Sequence, residues 1–515
     1  MRNQPQESLD AAREGASRVR DASLRSSRVC ALDFHIVLFA TISVFFALGA
    51  RAQELPSRPD RPWLTPDQTK LATRAIANRQ PKEAELEDRV YTLSDLIDFA
   101  EAHNPETREA WQAAVAQAKE TNVARSALFP SLDVGFLALS QRNGVLLYDT
   151  FVIQELGIGE VSARLTYTVF DANERLNRVR QQRELLHAAS FRFNDAHRKL
   201  LYSVMHGYYT LLNAQGQREA AQANYTSAAA VADSTQARFD EGLATLPDLS
   251  EAKAAAAQAN YEVQLRIGDE RKAAGTLATT LTAPPDSAFK VQSIADLEIP
   301  STMADTARGL IETALHNRPD LLAQASNVDA AKAGVRAARS RYYPSVSFNG
   351  TLGELRAIGG QSDYLAAYAT GKVWDAEMNL RWNVFDGGER RNRVAEGQAD
   401  VRREQEALRA SQDRIESEVW NAYVDAQTAL RQRDAATALL NASQDSYNQA
   451  LESYQAGVRN IVDVLTAQRQ LAQARFEDTA ARVAVLDSFA QVQLRTGTLL
   501  RLVSQMPRTA GARQP

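Results

Sequence analysis

Cysteine is almost absent from this chain, since Cys30 is the only one in 515 residues. It precedes an apolar export signal, so the exported chain holds no disulfide, no catalytic thiol and no cysteine metal site. Outside that signal no apolar run approaches ~18 residues, which predicts that no helix spans a membrane. Neither charge sign dominates, with 59 Lys and Arg against 63 Asp and Glu. This balance gives no indication of a nucleic-acid partner.

Catalytic motifs are also missing. The six histidines are scattered, and the sequence contains no H-E-x-x-H, P-loop, G-x-S-x-G or Rossmann glycine pattern. Glu184 and His187 copy half of a di-iron carboxylate motif. The equivalent positions later in the chain are Ala399 and Arg402, so we interpret the pair as part of a solvated helix face. We therefore expect no enzyme activity, no metal and no cofactor.

The amino terminus has the architecture of a secretory signal. The 13-residue apolar run Ile36–Leu48 follows two arginines and precedes an A-x-A cleavage site at Ala50–Ala52. It is too short for a spanning helix, which needs ~20 residues. We predict a leader and signal peptide over 1–52 and a proline-containing periplasmic extension over 53–91, either irregular or wrapped around the rest of the protein. At the other end, 504–515 is a short tail.

The rest of the chain repeats itself at an offset of about 215 residues, since the segment beginning at position 169 recurs at 384. Val169–Val179 returns as Val384–Val394, and Asn104-Pro105 returns as Arg318-Pro319. This period is too long for a solenoid module. The sequence therefore predicts one structural unit used twice, over 92–298 and 299–503.

Each unit reads as a helix, two strands, a very long helix, a turn and a further helix. Apolar and polar residues alternate over Val161–Val169 and Ala376–Val384, which predicts strands of about ten residues, the length of a tilted strand crossing a bilayer. A half-buried strand of a soluble protein has the same alternation. Four strands are too few to enclose a lumen, so a barrel would need several chains.

The long helices are predicted from the absence of proline over stretches of ~71 residues, or ~105 Å. Such lengths are typical of coiled coils. The predicted long helices, turns and returning helices are Asp171–Glu241, Gly242–Pro247 and Asp248–Leu281 in the first unit, and Asp386–Ala456, Gly457–Asn460 and Ile461–Leu500 in the second.

Four motifs in this duplicated frame resemble those of the TolC-type outer-membrane efflux proteins. The most specific is Tyr454–Leu465, which is similar to the family's Y-x-x-G-x-R-x-I-V-D-V-L turn; Ala237–Leu243 with Asp248 is similar to the turn of the first repeat. Phe-Asp pairs follow the second strand of each unit. The resemblance covers about residues 92–503. It implies an α+β membrane protein, in which a trimeric 12-stranded outer-membrane β-barrel continues as a 12-helix periplasmic coiled-coil tunnel.

The resemblance also implies roles for particular residues. Asp248 would bond to Tyr454 and Arg459 and hold the tunnel closed, and Asp463 would belong to an acidic ring at the aperture. Two departures from the family pattern are Pro247, where a threonine precedes the first acid, and Thr466, where some members have a second acid. The alternative for both aspartates is helix capping.

Further residues are assigned from position and pattern. Gly242 and Gly457 are predicted C-cap glycines, and with Leu243 and Val458 they form exposed tips where an adaptor would dock. Arg164, Glu377 and Arg381 are predicted to face the barrel lumen, whereas Leu165, Leu380 and Trp382 face lipid. Aromatic residues predicted in the loops between strands would form an interfacial girdle or pack the loops; they are Tyr148, Phe151, Tyr364, Tyr368 and Trp374.

The favoured function is a passive exit duct of a tripartite efflux or type I secretion system. It would lie in the outer membrane, with a long periplasmic portion. The implied partners are two further copies of the chain, a periplasmic adaptor (membrane fusion) protein, an inner-membrane transporter and outer-membrane lipid. The alternative is a periplasmic coiled-coil scaffold without a pore. Solute efflux and protein secretion are not distinguished by this sequence.

Overall fold

The computed structural model describes residues 73, 86–147, 149–294, 297–361 and 367–500. The predicted signal peptide, most of the extension and the tail lie outside the described residues. Within them, two helices, two strands, a long helix and a shorter helix occur in that order twice. The elements of the first half are β1 (Val90–Tyr91), α1 (Leu93–His103), α2 (Pro105–Ser126), β2 (Ser131–Leu147), β3 (Thr150–Phe170), α3 (Glu174–Asp240) and α4 (Leu246–Thr280). Those of the second are β4 (Lys290–Val291), α5 (Ala307–Asn317), α6 (Pro319–Ser340), β5 (Ser345–Gln361), β6 (Ala367–Arg381), α7 (Glu389–Gln455) and α8 (Ile461–Thr496).

In each repeat, two helices precede the first long strand, and the sequence predicted only the second of them. The N-cap at Asn104 is confirmed, because its Oδ1 accepts from the backbone N–H groups of Glu106 and Thr107 at 2.8 and 3.1 Å. The preceding helices α1 and α5 were not predicted. Each ends before the residue that precedes a proline, which disfavours helical geometry at that residue.

The four long strands form one antiparallel sheet in the order β2-β3-β5-β6. Their lengths are 17, 21, 17 and 15 residues, so the prediction of about ten was wrong. The reason is that strand pairing continues well beyond the alternating segments, towards the hairpin turns. Phe151, Tyr368 and Trp374 consequently lie in strands and not in loops. Tyr148 and Tyr364 are outside the described residues.

The long helices α3 and α7 have 67 residues each, which corresponds to ~100 Å. Near the sheet, α3 packs between α2 and α6; farther away it packs between α4 and α8. α7 continues this layer beside α6 and then beside α8. In each repeat, two shorter helices therefore pack one after the other against the long helix. No helix of the described segments is long and apolar enough to cross a membrane.

The largest apolar core lies midway along α3, where α1, the ends of α4 and α8, and the parallel pair β1–β4 meet. Tyr208, Leu277 and Leu499 are fully buried there. A second core joins α7 and α8 near their turn and includes Ile461 and Val464. Burial of one such side chain stabilises the fold by ~1.5–3 kcal/mol, so the helical layer has its own packed core in a single chain.

The Phe-Asp pairs connect sheet to helix in the same way in both repeats. Asp171 accepts from the backbone N–H and the Nε of Arg175 at 2.9 and 2.8 Å, and Asp386 makes the same bonds to Arg390 at 3.1 and 2.5 Å. The helices begin three residues after these aspartates, later than predicted. The intervening residues have positive φ, as in Gly388 with φ 90°, and cannot be helical.

Candidate functional site

The strand register places the three predicted lumenal residues on one face of the sheet. Arg164 lies opposite Thr351, which in turn lies opposite Asp375. Glu377 and Arg381 follow Asp375 at two and six residues along β6, and even spacing keeps side chains on the same face. We call this face, which carries Arg164, the polar face.

The opposite face carries Leu165 and Leu380, as predicted from the alternation. In the four rows nearest the helices, none of the described positions on this face is charged. We call these positions the apolar band; they are Leu132, Val134, Ala163, Leu165, Tyr167, Val346, Phe348, Gly350, Leu352, Trp374, Ala376, Met378 and Leu380. Trp374 is 76% exposed and Leu132 is 68% exposed. A patch of this size in a single chain marks an interaction surface.

Trp382, predicted to face lipid, lies immediately after β6. Its indole Nε1–H donates to the carbonyl oxygen of Tyr342 at 3.1 Å. The ring is 56% exposed, and Arg390 lies over the neighbouring Tyr342 ring at 5.3 Å. The indole therefore has one satisfied polar end and an exposed apolar body, the combination found at membrane–water interfaces.

The first tip, residues 241–245, ends α3 in a Schellman motif. The Leu243 N–H donates to Arg238 O at 2.7 Å and the Gly242 N–H donates to Phe239 O at 2.9 Å. Gly242 has φ +76°, which favours glycine. The predicted C-cap role is confirmed. Leu243 is 65% exposed, so the apolar residue that often packs back in this motif is presented to solvent.

The second tip, residues 456–460, repeats this geometry at the end of α7. The Val458 N–H donates to Ser453 O at 2.9 Å and the Gly457 N–H donates to Tyr454 O at 3.0 Å. Gly457 also has φ +76°, and Val458 is 79% exposed. Both repeats thus present one aliphatic side chain at the same position of the turn.

Asp248 forms a capping box at the start of α4. Its Oδ2 accepts from the backbone N–H and the hydroxyl of Thr245 at 3.0 and 2.7 Å. These bonds lower the pKa of Asp248. The capping interpretation therefore describes this residue within one chain. Thr245, which sequence reasoning missed, supplies the side chain that caps α4.

Tyr454 and Arg459 do not contact Asp248 in any hydrogen bond or ion pair found among the described residues. The Tyr454 ring is buried, its hydroxyl lies 3.5 Å from the Thr235 hydroxyl, and the Arg238 guanidinium lies 4.9 Å from the ring centre. Arg459 is exposed. The structure of one chain thus joins Tyr454 to the end of α3, whereas the proposed bonds to Asp248 stay a prediction.

Asp463 lies in the first turn of α8 with an exposed side chain. Its backbone N–H is capped by Asn460 Oδ1 at 3.0 Å. Asn460, and not the carboxylate, therefore caps this helix. The negative Asp463 carboxylate lies at the helix N-terminus, where the helix dipole favours a negative charge. Its role in an acidic ring stays a prediction.

A buried charge network around Arg318 was not predicted. Arg318 replaces the capping Asn104 of the first repeat, so this difference between the repeats was a signal that sequence reasoning could have used. Its side chain is 4% exposed and pairs with Asp320 and Glu418, each at 2.6 Å. Burial alone would raise the pKa of both carboxyl groups, but the bonds and charge of Arg318 outweigh it and lower both.

The network joins the start of α6 to three other helices. Arg198 on α3 pairs with Asp195 and lies 3.7 Å from Asp320, and Arg495 at the end of α8 pairs with Glu418 on α7 at 3.1 Å. Arg198 also donates to Leu494 O at 2.8 Å. Elements of both repeats are therefore fixed together at the level where α3 stops packing against α2 and α6 and begins to pack against α4 and α8.

Comparison with known proteins agrees with this architecture. The chain matches the family model for outer membrane efflux proteins over residues 96–281 and 310–498. Protein CyaE of Bordetella pertussis is 25% identical over 391 residues, covering 74% of this chain and 79% of that protein. Outer membrane protein OprJ of Pseudomonas aeruginosa is 29% identical over 256 residues, covering 48% of this chain and 51% of that protein.

A solved structure supports the fold. The CmeC outer membrane channel of Campylobacter jejuni superposes with a TM-score of 0.64 at 18% identity, covering 80% of this chain and 89% of that one. The two segments matched by the family model fall in the two repeats and account for most of the chain. These findings favour the channel over the periplasmic scaffold. The chain belongs to the outer membrane efflux protein family, as an outer-membrane channel component of an efflux or secretion system.

Proposed function

We propose that three copies of this chain form a passive exit duct, with a 12-stranded barrel in the outer membrane and a 12-helix tunnel in the periplasm. Substrates would reach it from an inner-membrane transporter through a periplasmic adaptor. The observation that carries this proposal is the uncharged apolar band on a sheet whose opposite face is charged. Lipid on one side and a water-filled lumen on the other satisfy both faces.

The edges of the sheet support closure by further copies. Among the described strands, β2 pairs only with β3, and β6 pairs only with β5. These edge strands run in opposite directions, so β6 of one copy can pair with β2 of the next in the antiparallel sense. Ring closure removes every unpaired edge. Three copies give the 12 strands that the family resemblance implies.

The helical layer has matching free edges. α7 and α3 are equally long, but α7 has ten buried residues and α3 has nineteen. Trp420 on α7 is 53% exposed, and Trp111 on α2 and Tyr261 on α4 are 50% and 64% exposed. Packing α7 of one copy against α2 and α4 of the next would cover these side chains and close a tunnel.

The tips are proposed to dock the adaptor. Leu243 and Val458 project from equivalent turns, and a groove of about 720 Å³ runs between α4 and α8 just above them. Its lining combines small and aliphatic residues such as Ala255, Ala259 and Leu465 with charged residues such as Glu251 and Arg469. Small and aliphatic side chains at this position suit a helical partner that packs closely.

The first prediction tests the duct as a whole. We expect the protein to purify as a detergent-solubilised trimer that conducts ions in planar bilayers, because only several copies enclose a lumen. Size-exclusion chromatography with light scattering gives the stoichiometry, and heat-dissociated protein is the control for conductance. A monodisperse monomer that is stable without detergent and never conducts would contradict the proposal.

The second prediction tests closure at the tips. Arg459→Ser with Tyr454→Phe is expected to raise single-channel conductance, because it removes the groups that the family resemblance assigns to closure. A charge-assisted bond contributes ~1.5–3 kcal/mol, and three copies lose it together. Tyr447→Phe, which removes a phenol two helical turns above the tip, is the matched control. Equal conductance of both variants would contradict a role of Tyr454 and Arg459 in closure, and Tyr454 would then only pack against Thr235 and Arg238 of its own chain.

A further inference from the structure

The hydrophobic alternation changes face partway along the strands. Nearer the helices, the polar face carries Asp133, Arg164, Asp375 and Glu377, whereas the apolar band lies opposite. Nearer the hairpin turns, the two faces exchange character. The pairing of β2 with β3 is continuous from Ser131 to Leu147. The exchange is therefore a phase shift in the sequence and not a consequence of a bulge.

Large aliphatic side chains occupy the polar-face side of the distal half of the sheet, nearer the hairpin turns. Register places Leu137 beside Glu160 and Leu355, and Leu139 beside Ile158 and Ala357. Leu137 and Leu139 are 50% and 39% exposed in one chain. We call five residues the collar; they are Leu137, Leu139, Leu156, Ile158 and Leu355. Glu160 is the one charged side chain among the described residues of these rows.

The opposite side of the distal rows carries most of the charges there, together with the exposed Ile358 and Tyr368. Glu354 lies opposite Lys372, and Arg142 pairs with Glu155 across β2 and β3 at 3.3 Å. Arg356 lies in the next row and is paired with Glu354 at 3.3 Å. A basic side chain facing lipid costs ~2–4 kcal/mol at the bilayer midplane. The distal half of the sheet therefore projects beyond the hydrocarbon, where its outward surface meets water.

Outside the membrane the collar residues have no lipid to face. In a closed ring they point inward, on the same face as Arg164. We propose that three copies of the collar line the outer end of the duct and form a hydrophobic barrier to ions and hydrated solutes. This inference rests on the proposed function, because the other two copies complete the ring.

Such a barrier differs from closure at the periplasmic tips. The collar row of Leu139 and Ile158 offers an ion no ligand to replace its hydration and can lose its water altogether, whereas Glu160 lies one row nearer the helices. The neighbouring positions in the collar rows include the polar Gln141 and the small residues Gly359, Gly371, Ala357 and Ala369, so the aliphatic side chains of β2, β3 and β5 provide most of the bulk. The duct would then have two barriers in series, one at each end.

The barrier can be measured from the cell exterior, independently of the tips. Thr351→Cys places a thiol on the polar face below the collar, in a mature chain with no native cysteine. A charged, membrane-impermeant thiol reagent added outside intact cells must pass the collar to reach it. We expect Leu139→Asn with Ile158→Asn to speed this labelling several-fold, because the amides hydrate the constriction at similar side-chain volume.

Ile358→Asn is the matched control, since Ile358 lies on the outward side of the distal rows and is 58% exposed. It is expected to leave the labelling rate unchanged. Equal rates in all three backgrounds, with the reporter readily labelled, would overturn the collar and leave the duct intact. A reporter that is never labelled, in protein that does not conduct, would instead overturn the proposed duct and the collar with it.

Discussion

Arg318→Ala is expected to open the junction of the four helices that its network joins. The substitution leaves Asp320 and Glu418 largely buried with a cation removed, which costs ~3–5 kcal/mol for a broken buried pair. The lower end of that range applies because Arg198 and Arg495 still face the two carboxylates. Hydrogen–deuterium exchange in the first turn of α6 and the last turn of α8 should accelerate about a hundredfold.

Arg414→Ala is the matched control for this prediction. Arg414 lies 3.9 Å from each of the same two carboxylates, but its side chain is 58% exposed. An exposed pair contributes at most ~1 kcal/mol, so exchange should change little. If both variants exchange alike, the burial of Arg318 does not set the stability of this junction.

The network also gives a signed pH dependence. The folded-state pKa values of Asp320 and Glu418 are lowered. Their contribution is therefore present above their unfolded values near ~4 and is lost as the pH falls through the lower folded values. Arg318→Ala should raise both pKa values, so that acid opens the junction at a higher pH than in the unmodified protein. The same exchange measurement across the acid range tests this shift.

Leu165→Lys is expected to abolish insertion into the outer membrane. Leu165 lies inside the apolar band, between Leu132 and Gly350. A lysine on the lipid side costs ~2–4 kcal/mol at the midplane, or ~6–12 kcal/mol for three copies. The amount of folded, heat-modifiable trimer in outer-membrane fractions should fall below detection, while the chain is still exported.

The adjacent substitution Thr166→Lys provides the control. Thr166 is one residue away but on the polar face, and its row across the sheet includes Asn349 and Glu377. A lysine there faces water and a carboxylate, so trimer should assemble normally. A greater loss for Thr166→Lys would reverse the assignment of lipid and lumen, and an equal loss in both variants would contradict it.

Sequence reasoning succeeded where one local rule decides the structure. Asn104 before a proline fixes the start of α2, because its side chain bonds to the backbone of the next residues. Gly242 and Gly457 fix the ends of α3 and α7, because a residue without a side chain adopts positive φ readily. Repetition then strengthened each assignment, since the same rule applied twice. Arg164, Glu377 and Arg381 could be assigned to one face because the side-chain period of a strand is two.

It failed where the outcome depends on distant partners. The full strand lengths depend on pairing between strands, and the alternation weakens where the faces exchange character near Leu137 and Leu355. The buried pairing of Arg318 was not predicted, because its partner Glu418 lies 100 residues away and reaches it only after α6 and α7 have packed. Asp248 matched a family pattern, but within one chain its carboxylate is bonded to Thr245, three residues before it, and not to Tyr454 or Arg459.

The two open edges of the sheet have a consequence for biogenesis. A newly exported chain can bury its helical cores by itself, but its strands then offer unpaired backbone groups beside the apolar band. Such a surface can pair with other copies out of register, so a free chain is an aggregation hazard until lipid and, in the proposed trimer, two further copies are present. Productive assembly should therefore depend steeply on chain concentration and require the membrane at the same step. Overproduction without matching membrane area would be expected to yield aggregates in the periplasm, not stored monomers.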